Sequence, residues 1–246
     1  MTMLEVINEK KAELDKLRPL PKYTLKSLRE KLFLEWTYNT NAIEGNTLTI
    51  NETKVVLEGI TIGGKTLREH LEVINHRDAI NYVEEIVQNK EPLSEWQIKN
   101  LHRLVLKGID DENAGVYCNQ QVFISGAKHT APPHYLIQEK IQQMMNWYEY
   151  QGIHLHPIER GAKLHAIFVG IHPFLDGNGR TARLLLNLEL MKDGFPPIII
   201  KFENRLDYYE ALDKAHTTEN YRDFITLVEQ EVNDSLDLYL GAVKLK

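Results

Sequence analysis

Apolar residues recur every three or four positions along most of the chain, which is the spacing of a helix that buries one face. Residues typical of helix ends bound these stretches: Ser94 is a favourable N-cap, and Gly45, Gly108 and Gly194 follow helix ends. The pattern predicts helices over 3–16, 25–43, 95–107, 138–151, 155–172, 181–193, 207–215 and 222–240. We therefore expect a mainly α-helical fold.

One segment departs from the helical pattern. Residues 121–125 (QVFIS) are rich in β-branched and aromatic side chains, Gly126 interrupts them, and Pro132 and Pro133 follow. This segment is predicted to form a short β-hairpin. The chain contains no internal repeat and no linker long enough to divide it into separate domains.

Composition narrows the class of protein. A chain of 246 residues with 43% hydrophobic content can bury one large core. A net charge of -6 argues against non-specific binding of nucleic acid. Cys118 is the single cysteine, which excludes an intrachain disulfide and a cysteine-based zinc site. Since no apolar signal segment and no apolar run of roughly 20 residues occurs, we expect a cytoplasmic protein without a membrane or nucleic-acid partner.

The segment 172–183, HPFLDGNGRTAR, contains most of the candidate chemistry. Its glycines let a ligand approach the backbone closely, and a helix that begins near Arg180 leaves its first N–H groups without partners. Those amides and the helix dipole favour an anion such as a polyphosphate. Arg180 and Arg183 share a helix face, so we expect both to reach bound phosphates.

Two further side chains in this segment suggest catalysis. Asp176 conflicts with an anion site unless it holds a cation, and Mg²⁺ is commonly bound by one or two carboxylates together with phosphates. His172 has an ordinary pKa of about 6.5, which suits a general base. Taken singly, a turn, a helix-end histidine and two arginines are ordinary features. Their combination predicts nucleotide chemistry.

The same segment resembles the signature of the Fic (filamentation induced by cAMP) family: His, any residue, Phe, any residue, Asp or Glu, Gly-Asn-Gly-Arg, two residues, Arg. The similarity extends over roughly 40–229 and includes segments that form a flap or lead into the signature: 114–117, 122–127, 132–133, 156–157 and His165. The resemblance implies a Fic-type helical domain over 91–230. A helical region over 1–90 precedes it, and the end of a C-terminal helix over 231–246 follows it.

The resemblance implies a nucleotidyltransferase, a protein adenylyltransferase that moves AMP from ATP to a Ser, Thr or Tyr hydroxyl of a target protein and releases pyrophosphate. His172 would deprotonate the hydroxyl, and Asp176 would hold Mg²⁺ or Mn²⁺ on the α- and β-phosphates. The turn and both arginines would bind the phosphates: Gly177, Asn178, Gly179, Arg180 and Arg183. Stabilisation of the phosphoryl oxygens would be the main catalytic effect.

The resemblance also implies a flap and an adenosine site. The flap strand over 121–124 would pair with an extended segment of the target, so that backbone hydrogen bonds supply affinity. Contacts from the flap and from a later helix are implied for Ser125, Gly126, Ala127, Lys128, Tyr208, Tyr209 and His216. Self-modification and a homodimer stay open.

The segment 40–45 (TNAIEG) resembles the inhibitory motif of the family. Glu44 is also unusual by itself, because it ends a predicted helix, where a carboxylate faces the negative end of the helix dipole and calls for a nearby cation. In relatives this glutamate pairs with the second signature arginine, here Arg183. The resemblance therefore implies an intramolecular brake in which Glu44 denies the γ-phosphate its arginine.

Other functions stay open from the sequence. Glu44 could position a water for the reverse reaction, as a de-AMPylating hydrolase, and some Fic relatives transfer phosphate, UMP or phosphocholine. A module that binds nucleotide without catalysis would need neither His172 nor Asp176. A zinc hydrolase would have to use four histidines without the helical His-Glu-x-x-His motif: His154, His156, His165 and His172.

Overall fold

The computed structural model describes residues 1–122 and 127–244. These residues form ten α-helices, joined by loops and by three single-turn 3₁₀ helices. The α-helices are α1 (Met3–Lys16), α2 (Lys22–Ile43), α3 (Ile50–Leu57), α4 (Leu67–Asn89), α5 (Glu95–Leu106), α6 (Ile137–Tyr150), α7 (Pro157–Ile171), α8 (Asn178–Lys192), α9 (Arg205–Thr218) and α10 (Arg222–Lys244). The predicted, mainly helical fold class is confirmed. None of the described helices is long and apolar enough to cross a membrane.

The helices α7 and α8 form the centre of the fold. They pack against each other, and α2, α4 and α5 also pack on α8, so that α8 is covered on almost every side. Its sequence explains this burial, because its leucines lie on several sides of the helix rather than forming one stripe. Residues 172–177 join α7 to α8. The candidate catalytic segment is therefore anchored in the core at both ends.

A second core holds the N-terminal helix against the C-terminal helices. Ile7 and Leu14 of α1 are completely buried in one cluster with Tyr208 of α9 and Phe224 of α10. Ile43, the last residue of α2, belongs to the same cluster. This packing brings the C-terminal end of α2 to the start of α8.

Most predicted helix bounds agree with the structure to within a few residues. The bounds of α1 are as predicted, whereas α2 begins earlier, at Lys22, and α8 begins earlier, at Asn178. The apolar pattern does not predict α3 or α4. The apolar spacing is weak in α4 because the buried face of this helix includes four polar side chains: His70, Glu72, Asn75 and His76.

The predicted hairpin over 121–125 falls mostly on residues 123–126, which lie outside the described residues. Gln121 and Val122 precede them without regular secondary structure. No strand occurs within residues 1–122 and 127–244. The hairpin therefore stays a prediction.

Candidate active site

The signature loop leaves α7 by a sharp change of direction. The helix ends at Ile171, and His172 caps it in the left-handed region with φ 51° and ψ 57°, rather than extending α7 as predicted. The side chain of His172 therefore does not continue the helical face that carries His165. His165 is completely buried, and its Nε2 lies 3.1 Å from the hydroxyl of Tyr208.

Asn178 fixes the shape of the loop. Its side-chain amide donates to the carbonyl of Phe174 at 2.8 Å, and its Oδ1 accepts from the amide of Phe174 at 3.0 Å. Because the Asn178 side chain is 2% exposed and bonds within the protein, its backbone N–H is the group that it offers to an anion. Phe174 is completely buried and stacks on His102, with ring centroids 3.6 Å apart.

His102 of α5 supports the loop from the core. The N–H of Gly115 donates to its Nδ1 at 2.8 Å, so we assign the proton to Nε2, which donates to the carbonyl of Asp176 at 2.8 Å. Burial lowers the pKa of His102 to about 4, which keeps the ring neutral and preserves this tautomer. Since both ring nitrogens are engaged, His102 orients the loop rather than transferring protons.

His172 lines a cavity of about 500 Å³. The other walls include residues of α8 and α9: Gly179, Arg183, Tyr208, Tyr209 and His216. Burial lowers the pKa of His172, and the nearby carboxylates of Glu44 and Asp176 oppose that effect without reversing it. The imidazole is therefore neutral at pH 7 and can accept a proton from a hydroxyl, as a general base must.

The start of α8 presents backbone amides without partners in the helix. Gly177 is the N-cap, with φ 75°, and the N–H of Thr181 makes the first bond of the helix to the Gly177 carbonyl at 3.0 Å. The N–H groups of Asn178, Gly179 and Arg180 therefore precede the first intrahelical bond. The helix dipole adds a positive potential in front of them, so this end of α8 favours an anion.

A carboxylate of the protein lies in front of this helix start. Glu44 caps the C-terminus of α2, and its Oε1 accepts from Nη2 of Arg183 at 2.6 Å. The same oxygen is so close to Gly179 that a Cβ there would collide with it. Arg183 also donates to the hydroxyl and carbonyl oxygens of Thr40, at 2.6 and 3.0 Å. An anion bound to the α8 amides and to Arg183 would have to compete with Glu44.

Asp176 is paired with two arginines. Its Oδ2 forms an ion pair with Arg68, and its Oδ1 lies 3.3 Å from Nη2 of Arg180. Burial raises the pKa of Asp176, but Arg180, the Gly177 amide and Arg68 outweigh burial and hold the pKa below its usual value. The carboxylate is therefore ionised and able to receive a cation.

Arg180 and Arg183 diverge, although the sequence predicts that they reach the same bound phosphates. The side chain of Arg180 is only 2% exposed and lies between Asp176 and Glu72, with Nη1 3.3 Å from Oε1 of Glu72. Arg183 instead faces Glu44 and the cavity. Arg180 therefore forms an ion pair with Asp176.

The donor set at Asp176 fits a hard divalent cation. The described ranges, 1–122 and 127–244, contain no group of three or more His, Cys, Asp or Glu side chains arranged to hold a metal ion. A metal at Asp176 would therefore take its other ligands from substrate phosphates and water, as Mg²⁺ commonly does. The guanidinium of Arg68 occupies the position at Oδ2 that a metal ion would take, which shows that this oxygen can receive a cation.

The predicted flap residues lie partly outside the described part of the chain. Ser125 and Gly126 are not described. Ala127 lines the cavity, and the backbone N–H of Lys128 donates to both carboxylate oxygens of Asp213 at 3.1 Å. The end of the flap segment is therefore attached to α9, beside the cavity.

The three predicted adenosine contacts all line the cavity, but they differ in exposure. Tyr208 is 1% exposed, bonds Nη1 of Arg183 at 3.4 Å, and has a pKa raised to about 12 by burial. Tyr209 is 43% exposed and donates to the carbonyl of Ile43 at 3.1 Å. The Nε2 of His216 bonds a backbone carbonyl of α7 at 2.8 Å. Tyr209 and His216 thus offer more accessible surface than Tyr208.

Sequence reasoning missed three polar residues that shape the site: Arg68, His102 and Asp213. Each contacts the loop or the flap segment from a helix distant in sequence. His102 alone had a local signal, since it is a histidine on the apolar face of α5. The other two lie on charged helix surfaces, where their sequence neighbours give no indication of a contact.

Known proteins share this fold and much of this sequence. A model of the Fic/DOC family matches residues 92–190, which include α7, the loop and most of α8. A Fic domain containing signaling protein from Bacteroides thetaiotaomicron has a similar structure, with a TM-score of 0.88 and 30% identity, and the match covers 97% of each chain. The chain belongs to the Fic/DOC family.

Curated relatives match nearly all of the chain. Protein adenylyltransferase Fic of Nematostella vectensis is 38% identical over 99% of this chain and 57% of the relative. Protein adenylyltransferase fic-1 of Caenorhabditis elegans is 39% identical over 88% of this chain and 43% of the relative. A structure of part of Fic-1 from C. elegans has a TM-score of 0.89 at 34% identity and is covered over 72% of its length. The chain thus spans about half the length of the curated relatives it matches.

Proposed function

We propose that the chain is a protein adenylyltransferase that moves AMP from ATP to a hydroxyl side chain of a target protein, and that Glu44 restrains this activity. One observation carries the proposal: His172, the α8 amides and Arg183 converge on one cavity, and Glu44 lies against those amides and Arg183. The similarity to relatives named protein adenylyltransferase supports the reaction.

The proposed reaction begins with proton transfer from the target hydroxyl to His172. The hydroxyl oxygen attacks the α-phosphorus of ATP, and the bond from that phosphorus to the bridging oxygen breaks, so that pyrophosphate leaves with the bonding electrons. The amides of Asn178 and Gly179 stabilise the charge on the phosphoryl oxygens, and Arg183 binds the γ-phosphate. The loop that presents these groups is held by His102 and the Asn178 side chain.

Asp176 is the residue proposed to hold Mg²⁺ or Mn²⁺. When bound, such an ion would neutralise charge on the phosphates and on the leaving pyrophosphate. Arg180 supports this role, because its buried guanidinium helps to keep the carboxylate of Asp176 ionised.

The proposed brake acts by direct competition. Arg183 is nearly completely buried, lines the cavity and donates to Glu44 through Nη2. A γ-phosphate and the Glu44 carboxylate are both anions, so Arg183 and Gly179 cannot receive the two together without strong repulsion. While Glu44 is in place, ATP would bind with its phosphates displaced from His172.

We also propose that residues 121–125 form the flap hairpin, and that the strand over 121–124 pairs with the backbone of the target. Support comes from the residues that follow it, which are attached beside the cavity. The N–H of Lys128 bonds Asp213, and Nε2 of His129 bonds the carbonyl of Gly170 at 2.9 Å. A strand that leads into this fixed segment would lie beside the cavity, which Val122 and Ala127 line.

Glu44→Gly tests the proposal in an assay with labelled ATP, Mg²⁺ and cell lysate. We expect label on protein to rise well above the unaltered chain, and His172→Ala in the same background to abolish it. Glu58→Gly is a matched control, because Glu58 also caps a helix C-terminus, that of α3, but is exposed and does not line the cavity. No rise with Glu44→Gly would contradict the brake, and label that survives His172→Ala would contradict the base.

The reverse reaction is a second candidate. Glu44 is 33% exposed and lines the cavity with His172, so it could hold a water near an AMP-modified side chain. Incubating the modified product with the unaltered chain would distinguish the two directions. Release of AMP that is lost in Glu44→Gly would favour the hydrolase.

A further inference from the structure

Arg68 connects the N-terminal helical region to the signature loop. It lies in the first turn of α4, its side chain is 55% exposed, and its Nη2 forms an ion pair with Oδ2 of Asp176. Its Nε also lies 3.1 Å from Oε1 of Glu72, one turn further along α4. Arg68 therefore contacts two carboxylates, one of its own helix and one of the loop.

Glu72 links this ion pair to the segment that carries the brake. Its side chain is only 10% exposed, and its Oε2 accepts from Nδ2 of Asn46 at 2.9 Å. Asn46 follows Glu44 by two residues, in the turn after α2. Arg180 also approaches Glu72, at 3.3 Å. A continuous set of polar contacts thus runs from the Glu44 turn through Glu72 to the two arginines that pair with Asp176.

We propose that Arg68 is a displaceable cation that competes with the divalent metal ion for Oδ2 of Asp176. This inference rests on the proposed function, because that function assigns the metal to Asp176. The Glu44 carboxylate contacts Gly179 at the start of α8, where phosphate would bind, and the Arg68 guanidinium pairs with the Asp176 carboxylate, which would bind the metal ion. Without bound nucleotide and metal ion, the N-terminal region thus supplies Glu44 to the phosphate site and Arg68 to the metal site.

The contacts of Arg68 suit a group that moves. Buried Arg180 remains beside Oδ1 of Asp176, so the loop keeps one ion pair when Arg68 leaves. Arg68 also keeps Glu72 as a partner after it releases Asp176. Because Arg68 is more than half exposed, its ion pair is screened by water, and we expect its removal to shift a competing equilibrium by about two- to fivefold.

Direct metal binding tests the inference. Mn²⁺ is titrated into the full chain in the presence of the non-transferable α,β-methylene analogue of ATP, and free Mn²⁺ is followed by electron paramagnetic resonance. Arg68→Gln should bind Mn²⁺ about two- to fivefold more tightly than the unaltered chain, whereas Arg68→Lys, which keeps the charge, should shift less. Arg77→Gln is the matched control, because Arg77 lies on the same helix and pairs with its neighbour Asp78.

The variants separate the possible outcomes. An unchanged or weaker affinity in Arg68→Gln would overturn the inference, and so would an equal gain in Arg77→Gln, which would reflect net charge alone. Asp176→Asn should remove the Mn²⁺ affinity that Arg68→Gln increases. Mn²⁺ binding that is unaffected by Asp176→Asn would also overturn the inference. The readout does not depend on AMP transfer, so failure of the proposed reaction would be seen separately, as absent labelling by Glu44→Gly.

Discussion

Two asparagines of α8 make the same pair of hydrogen bonds in different places. Asn178 bonds the carbonyl and amide of Phe174, in the signature loop, at 2.8 and 3.0 Å. Asn187 bonds the carbonyl and amide of Ile198, beyond the end of α8, at 2.9 and 2.8 Å. Both asparagines are 2% exposed. Their alanine variants are therefore matched in the bonds they lose and differ in the segment they release.

The stability cost of both substitutions follows from these bonds. Each leaves one buried N–H and one buried carbonyl without a partner, at about 1–3 kcal/mol per group. We therefore expect Asn178→Ala and Asn187→Ala each to lower the free energy of unfolding by about 2–6 kcal/mol, measured by urea unfolding. Activity should separate the two variants, because Asn178 helps to hold the loop that positions His172 and Asn187 does not contact that loop.

Transfer of AMP in the Glu44→Gly background measures that separation. At a temperature where both proteins are folded, Asn178→Ala should reduce the rate by roughly 100-fold, the scale of a misplaced catalytic group. Asn187→Ala should stay within about twofold of its parent, as expected for a substitution outside the site. Equal losses of rate would refute the role of Asn178 in positioning the loop. An unchanged free energy of unfolding in Asn178→Ala would refute the hydrogen-bond argument itself.

Two predictions concern pH. Burial lowers the pKa of His172, so its neutral, basic form persists as pH falls. The acid limb of the kcat/KM profile of Glu44→Gly should therefore lie below about pH 6.5. An acid limb above that pH would argue against His172 as the base. Burial also raises the pKa of Glu231 from 4.5 to about 7. Between those two pH values the folded state holds a proton that the unfolded state releases, so the free energy of unfolding falls as pH rises. Glu231→Gln should therefore raise Tm at about pH 8 but not at about pH 4, and an equal change at both pH values would contradict this reasoning.

The signature loop shows how far local sequence can be used. His172, Asp176 and the start of α8 are close in sequence, so their spacing is enough to predict one site. The directions of side chains are not predicted by spacing, because they depend on packing. The Asn178 side chain bonds Phe174 instead of facing an anion. Arg180 points toward Asp176, whereas Arg183 faces the cavity.

Contacts between distant segments depend on the arrangement of helices. Arg68 meets Asp176 across 108 positions, and the helix that carries it is hidden from the apolar pattern by its polar buried face. Glu44 and Arg183 are 139 positions apart. Only the family motif indicated that pair, since no local periodicity connects the two residues.

Competition between Glu44 and the γ-phosphate for Arg183 is the centre of this account. The most direct test compares the affinities of ATP and ADP by calorimetry, because ADP lacks the γ-phosphate. Glu44→Gly should tighten ATP relative to ADP by roughly tenfold or more, the scale of a charge-assisted hydrogen bond. Arg183→Gln in the same background should remove that preference. An ATP-to-ADP affinity ratio that is the same with and without Glu44 would contradict the account.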